Sequence, residues 1–281
     1  MAKGKTALQE AKELHARVIR NFRKRRIITK GIDDLWAGDL LVLTQYSREN
    51  RGFKYILNVI DTFSKYMFLK PLKTKTGKEV ASAFEKIIKT SGRCPKLLHV
   101  DRGREFYNST FRSFLDHHSI RMYSTYNDEK SAIAERANRT INNHLKIHFE
   151  RNGNHKWIDF LKKLTNTYNN DSVHRTIGMP PSRVNKSNEK EIFERMYSIN
   201  NFKLEKPKFK IGDLVRITTK QNTFENKYKA PWSREIFVIK SIHYTDPITY
   251  TIKDLNDEVI TGKFYKQELL KSKCLKKLKT V

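Results

Sequence analysis

The chain has 281 residues, 57 of them Lys or Arg and 30 Asp or Glu, giving a formal net charge of +27 with 38% hydrophobic residues. That apolar content can fill one medium and one small core, which excludes wholesale disorder, while a positive surplus spread over the whole chain favours a polyanionic partner, nucleic acid first. The sequence has no apolar run of bilayer length and no hydrophobic signal region, and Cys94 and Cys274 supply neither a disulfide framework nor Cys-x-x-Cys zinc spacing; a soluble, reduced, intracellular protein with no membrane partner is the expectation.

Residues 6–26, TALQEAKELHARVIRNFRKRR, set Leu8, Ala11, Leu14, Val18 and Phe22 at helical spacing among basic residues, which predicts an amphipathic helical arm. NFRKRR and the closing KSKCLKKLKTV fit nuclear targeting or contact with backbone phosphates, although such runs also serve as plain solvated faces. From 34 to 72, β-branched and aromatic runs broken by SRENRG and by Asp61–Lys65 predict three successive antiparallel strands. GKEVASAFEKIIKTSG carries Val80, Phe84, Ile87 and Ile88 on one helical stripe and ends at a glycine. The strand KLLHV follows, with His99 a packed or solvent-facing strand histidine. A short helix capped at Asn108 or Ser109 buries Phe111, Phe114 and Leu115, and a small strand IRMYS precedes a long helix from about Lys130 to Glu150. A further helix carries Trp157, Leu161, Leu164 and Tyr168. Strands first, then strands alternating with helices, predict an α/β fold with a mixed sheet and helices on its faces. After NNFKLEKP the composition changes: residues 209–270 hold four or five short strands between Gly, Asp, Asn and Pro, which suits a small β barrel. Trp157 and Trp232 are read as core anchors.

Three acidic residues stand out. Asp101 ends the apolar strand of PKLLHVDRGREF; an Asp-x-Gly turn alone would account for it. Asp39 lies inside the apolar strand LWAGDLLVL, where a carboxylate needs a cation or hydrogen-bond donors. On the long helix Ile133, Ala137, Ile141 and Leu145 share one stripe, and Glu135, Arg139, Asn142 and Lys146 share another, so Glu135 faces out of the core and an ordinary surface pair with Arg139 is the simplest reading. Taken together, oxygen-only ligands from three elements with no histidine beside them favour Mg²⁺ over zinc, and two such ions serve in-line phosphoryl displacement.

The segments WAGDLL, YILNVIDTFSKYMFLKPL, LLHVDRGREFYNSTF, YNDEKSAIAERANRTINNHL and YNNDSVHRTIGMPPSRV, across residues 32–186, resemble the DDE integrase core of retroviruses, long-terminal-repeat retrotransposons and related DNA transposons. The resemblance implies an RNase H-like mixed five-stranded sheet with flanking helices, with Asp39, Asp101 and Glu135 as catalytic residues and ligands of Mg²⁺ or Mn²⁺. His174 falls where the family has a histidine closing the core. RRIITKGIDDLWAGDL, TFENKYKAPWSREIFVI and GKFYKQEL are similar, more narrowly, to the integrases of Polinton (Maverick) transposons, which implies that the C-terminal region is an SH3-like β barrel. The zinc module that often precedes the core is not supplied by two distant cysteines. The expected organisation is a basic helical arm at 1–31, the catalytic core at 32–186, a linker at 187–208, the barrel at 209–270 and a basic tail at 271–281. Arg102, Tyr126, Asn127, Lys130, Arg139, Asn142 and Lys146 are the candidate DNA contacts. The implied function is 3′-end processing of element DNA and its strand transfer into target DNA, by a homo-oligomer in the nucleus. A domesticated or inactive integrase retained as a DNA-binding scaffold is the alternative, and an RNase H-type nuclease acting on hybrids is a third reading, less suited to a chain with a barrel and a basic arm.

Overall fold

A computed structural model of the chain describes residues 2–25, 27–124, 132–197, 205–219 and 229–273. They form two bodies, Ile28–Asn200 and a composite of Met1–Ile27 with Asn201–Val281. The composite body opens with helix α1, Ala2–Leu14. Among the described residues no helix is long and apolar enough to cross a membrane.

The larger body is built on β1 (Leu35–Val42), β2 (Tyr55–Asp61) and β3 (Met67–Leu72), consecutive and antiparallel as the sequence predicts. Asp61 accepts from the Phe63 and Ser64 amides and from the Ser64 hydroxyl, which closes the β2–β3 turn with Lys65 at φ 62°. Helix α2 (Gly77–Ser91) starts at the Thr76 cap and stops at left-handed Gly92, burying Val80, Phe84 and Ile87 on the predicted stripe. Strand β4 (Leu97–Val100) runs parallel to β1; α3 (Ser109–His117) is capped by Asn108, and β5 (Arg121–Tyr123) runs parallel to β4. The strand order is β3-β2-β1-β4-β5.

Period-two alternation divides the sheet between two cores. Trp36, Leu57, Val59, Leu98 and Val100 pack with α2 and α3. Ala37, Leu41, Ile56 and Ile60 pack with helix α4 (Ala132–Asn152) and α5 (Leu161–Asn166). A π-helical turn, Thr167–Asp171, extends α5, and its buried Asn169 brackets the amide N–H and carbonyl of Met67 at 2.9 and 2.8 Å, satisfying the start of edge strand β3. Residues 187–208 are not a plain linker: they include α6 (Glu189–Tyr197), because Ile192 has an apolar partner set in Phe63, Ile177 and Val184.

The composite body carries a second, wholly antiparallel sheet of β6 (Leu214–Ile217), β7 (Phe237–His243), β8 (Thr249–Lys253), β9 (Phe264–Tyr265) and β10 (Leu269–Lys271), in the order β10-β6-β7-β8-β9. Phe209, Val215, Phe237, Tyr250, Ile252 and Leu269 form its core. The N-terminal segment departs from the predicted helix of 6–26: α1 ends at Leu14, and Val18 and Phe22 lie on non-helical chain. Tertiary bonds take the place of helical ones. The Ala16 carbonyl accepts from the Trp232 indole at 2.9 Å, the Arg25 amide donates to the Tyr265 hydroxyl at 3.0 Å, and the Phe22 ring lies 5.5 Å from that of Tyr265. Leu8, on the predicted apolar stripe, is 58% exposed, whereas Glu13 is buried.

Candidate active site

Strand register sets the site. The last paired positions of the parallel β1–β4 ladder are Gly38 and Val100. Asp39 is the next residue of β1, and Asp101 is the first residue after β4 ends at Val100, so the two predicted positions follow the same last rung of neighbouring parallel strands. A Cβ at Gly38 would meet Val100 Cγ1 at 3.2 Å and Phe84 Cζ at 3.6 Å, so the glycine gives these side chains room against β1.

Asp39 is half-buried and held from two directions. Its Oδ1 accepts from the Leu40 amide at 2.8 Å, and its Oδ2 accepts from Asn138 Nδ2 at 2.6 Å. Asn138 stands one turn beyond Glu135 on α4, and Asn58 Nδ2 donates to Asn138 Oδ1 at 2.8 Å. Asn58 lies directly across the antiparallel ladder from Asp39 and is fully buried.

Helix α4 presents the predicted faces: Ala137, Ile141 and Leu145 are buried, while Glu135, Arg139, Asn142 and Lys146 are exposed. Arg102 is exposed directly after Asp101. Tyr126, Asn127 and Lys130 lie outside the described residues. Among the described residues no group of three or more His, Cys, Asp or Glu side chains is placed to hold a metal ion. Asp39 on β1 and Asp101 just after β4 thus follow the last β1–β4 rung, and Glu135 stands on the exposed face of α4. The donors that are present, carboxylate oxygens without imidazole or thiolate, match a hard divalent ion.

The neighbouring polar residues are structural. His99 is buried with both ring nitrogens unpartnered, and burial pulls its pKa down, opposed by Asp101. Asp61 is tied to Arg93 Nη2 at 2.6 Å, and Arg93 also binds Asp33 at 2.7 Å while lying over the Tyr66 ring at 5.2 Å. Burial pushes the Asp61 carboxyl up, against the Ser64 hydroxyl and the Arg93 charge. His174 forms a bridge with Met179, and Trp157 is fully buried. Asn58 and Asn138 were the residues that sequence patterns missed; the available signal was a lone amide inside the apolar strand YILNVID.

A mixed five-stranded sheet with helices on both faces, with Asp39 on β1 and Asp101 directly after the parallel strand β4, defines an α/β core. Residues 31–126 match the integrase core domain family. A transposon-derived protein of Caenorhabditis elegans is 33% identical over 228 residues, which cover 81% of this chain and 76% of that one. The retrovirus-related Pol polyprotein of the Drosophila melanogaster transposon 297 is 26% identical over 250 residues, 84% of this chain but 21% of the polyprotein. A chain in the cryo-EM structure of a simian T-cell lymphotropic virus intasome shares the fold, with a TM-score of 0.61 at 16% identity, over 92% of this chain and 84% of that chain. The protein belongs to the integrase core domain family.

Proposed function

We propose that the protein is a polynucleotidyl transferase that trims the 3′ ends of its element's DNA and joins them to target DNA. The observation that supports this reading is that Asp39 of β1 and Asp101, just after β4, follow the last rung of the parallel β1–β4 ladder in a chain of the integrase core family. Asp39, Asp101 and Glu135 are the residues that would hold Mg²⁺ or Mn²⁺, and such ions, when bound, supply a hydroxide nucleophile and stabilise the leaving oxygen of an in-line displacement. Asn138 fixes the Asp39 carboxylate. Arg102 and the exposed Arg139, Asn142 and Lys146 stripe bind phosphates, contacts that position DNA without reading its sequence. The segments shared with Polinton integrases support an element of that transposon group, and the strand order of the second sheet suits closure into an SH3-like barrel. The protein acts on DNA ends as a homo-oligomer in the nucleus.

The test is release of nucleotides from the 3′ end of a duplex bearing the element's terminal repeat, in Mg²⁺ or Mn²⁺. Cleavage that depends on the terminal sequence supports the reading. Tight duplex binding with no cleavage in either metal would replace it with the inactive DNA-binding scaffold.

A further inference from the structure

Asn58 is costly where it stands. Its strand neighbours on the same face, Ile56 and Ile60, belong to the apolar core against α4, and its own side chain is wholly buried with Oδ1 unpartnered. An aliphatic side chain would serve the fold better at such a position. Its amide nitrogen donates to Asn138 Oδ1 at 2.8 Å. That bond orients the second amide. Asn138 can give Nδ2 to the Asp39 carboxylate only if its Oδ1 faces Asn58, and Asn58 accordingly presents its NH₂ group.

We propose that Asn58 is a positioning residue for the active site, acting through Asn138 to fix the orientation of the Asp39 carboxylate. This rests on the polynucleotidyl transferase reading for its consequence in turnover, but the clamp itself concerns only how well Asp39 is preset for a divalent ion. Partners that orient a ligand in this way commonly change metal affinity and activity by roughly 10- to 100-fold. Asn58 acts at a distance from substrate, and its effect should vanish when Asn138 can no longer pass it on.

The experiment is a double-mutant cycle on the full chain with Asn58→Leu and Asn138→Leu, reading Mn²⁺ affinity by calorimetric titration, thermal midpoint, and strand transfer. Asn58→Leu is expected to keep or raise the midpoint while weakening Mn²⁺ binding about tenfold, with a parallel loss of turnover and unchanged KM for DNA. In the Asn138→Leu background it should weaken Mn²⁺ binding no further. Asn58→Val is the second variant, in case leucine overfills the site. Unchanged Mn²⁺ affinity, a fully additive loss in the double variant, or loss of cooperative unfolding in both Asn58 variants would each overturn the proposal. An unmodified chain that binds Mn²⁺ but transfers no strand would sink the transferase reading alone, leaving the affinity cycle to decide the clamp; an unmodified chain that binds no Mn²⁺ would sink both.

Discussion

Arg93 lies between two acidic residues and several aromatic rings, and Asp61 beneath it has no exposed surface. Removing one partner of such a pair leaves a bare buried charge, so Arg93→Leu should lower stability by about 3 kcal/mol, measured as a shift in the urea midpoint. Lys65, in the same turn, has its pKa pulled down to about 8 by burial, with Asp61 opposing and Arg136 assisting. Between that value and the ordinary 10.5 the unfolded chain binds more protons than the folded one. Stability should therefore rise with pH across this window, and Lys65→Met should remove that part of the rise; an identical pH profile in the variant would show that Lys65 titrates normally. Of the acidic residues only Asp39 breaks a local pattern, an apolar strand; Asp101 and Glu135 each have an ordinary local reading, a turn and a surface pair, and stand out only through the resemblance to the DDE core. Asn138 was not legible, since its partner Asp39 is 99 residues away and the bond forms only once α4 is laid on the sheet.

At the level of elements, α1 is fixed by a carboxylate rather than by the apolar stripe its sequence shows. Glu13 is buried against Arg216, with Nε at 3.1 Å, and also accepts from Ser272 Oγ and the Lys273 amide, each at 2.9 Å. Burial raises its pKa, but the Lys273 amide, Arg216, Ser272 and Gln9 together hold it below the ordinary 4.5. The sign follows from that depression: the stabilisation is complete above the unfolded pKa and is lost as pH falls through the lower folded value. Docking of α1 should weaken on acidification below about pH 4.5, seen as a shift in the Trp232 indole N–H resonance, and Glu13→Gln should shift that resonance already at pH 7. An indole signal unmoved by either change would contradict the clamp. Helix α2 and its stop at Gly92 were readable from local signals, a Thr cap and a left-handed glycine. The end of α1 was not, because Ala16 and Arg25 spend their backbone groups on residues 216 and 240 positions away.

Over the whole molecule, the formal charge of +27 is shared by a core body and a second body made from both chain ends. The composition of that second body explains why the N-terminal segment reads as an independent arm in sequence: nothing local reveals that its partners are β6, β9 and β10. If the composite body binds DNA through phosphates, a chain reduced to residues 28–200 should bind more weakly to every sequence, and the log–log salt slope should flatten by roughly 0.9 for each phosphate no longer neutralised. An unchanged slope would assign that body to protein contacts. The proposed phosphoryl transfer by Asp39, Asp101 and Glu135 is tested by Glu135→Gln, which keeps size and helix propensity while removing a charge. Strand transfer of a terminal-repeat duplex and duplex affinity are measured on the same preparation. Transfer should collapse in both Mg²⁺ and Mn²⁺ while affinity holds or rises slightly, as repulsion of phosphate is relieved. Strand transfer undiminished in Glu135→Gln, at unchanged affinity, would contradict the account.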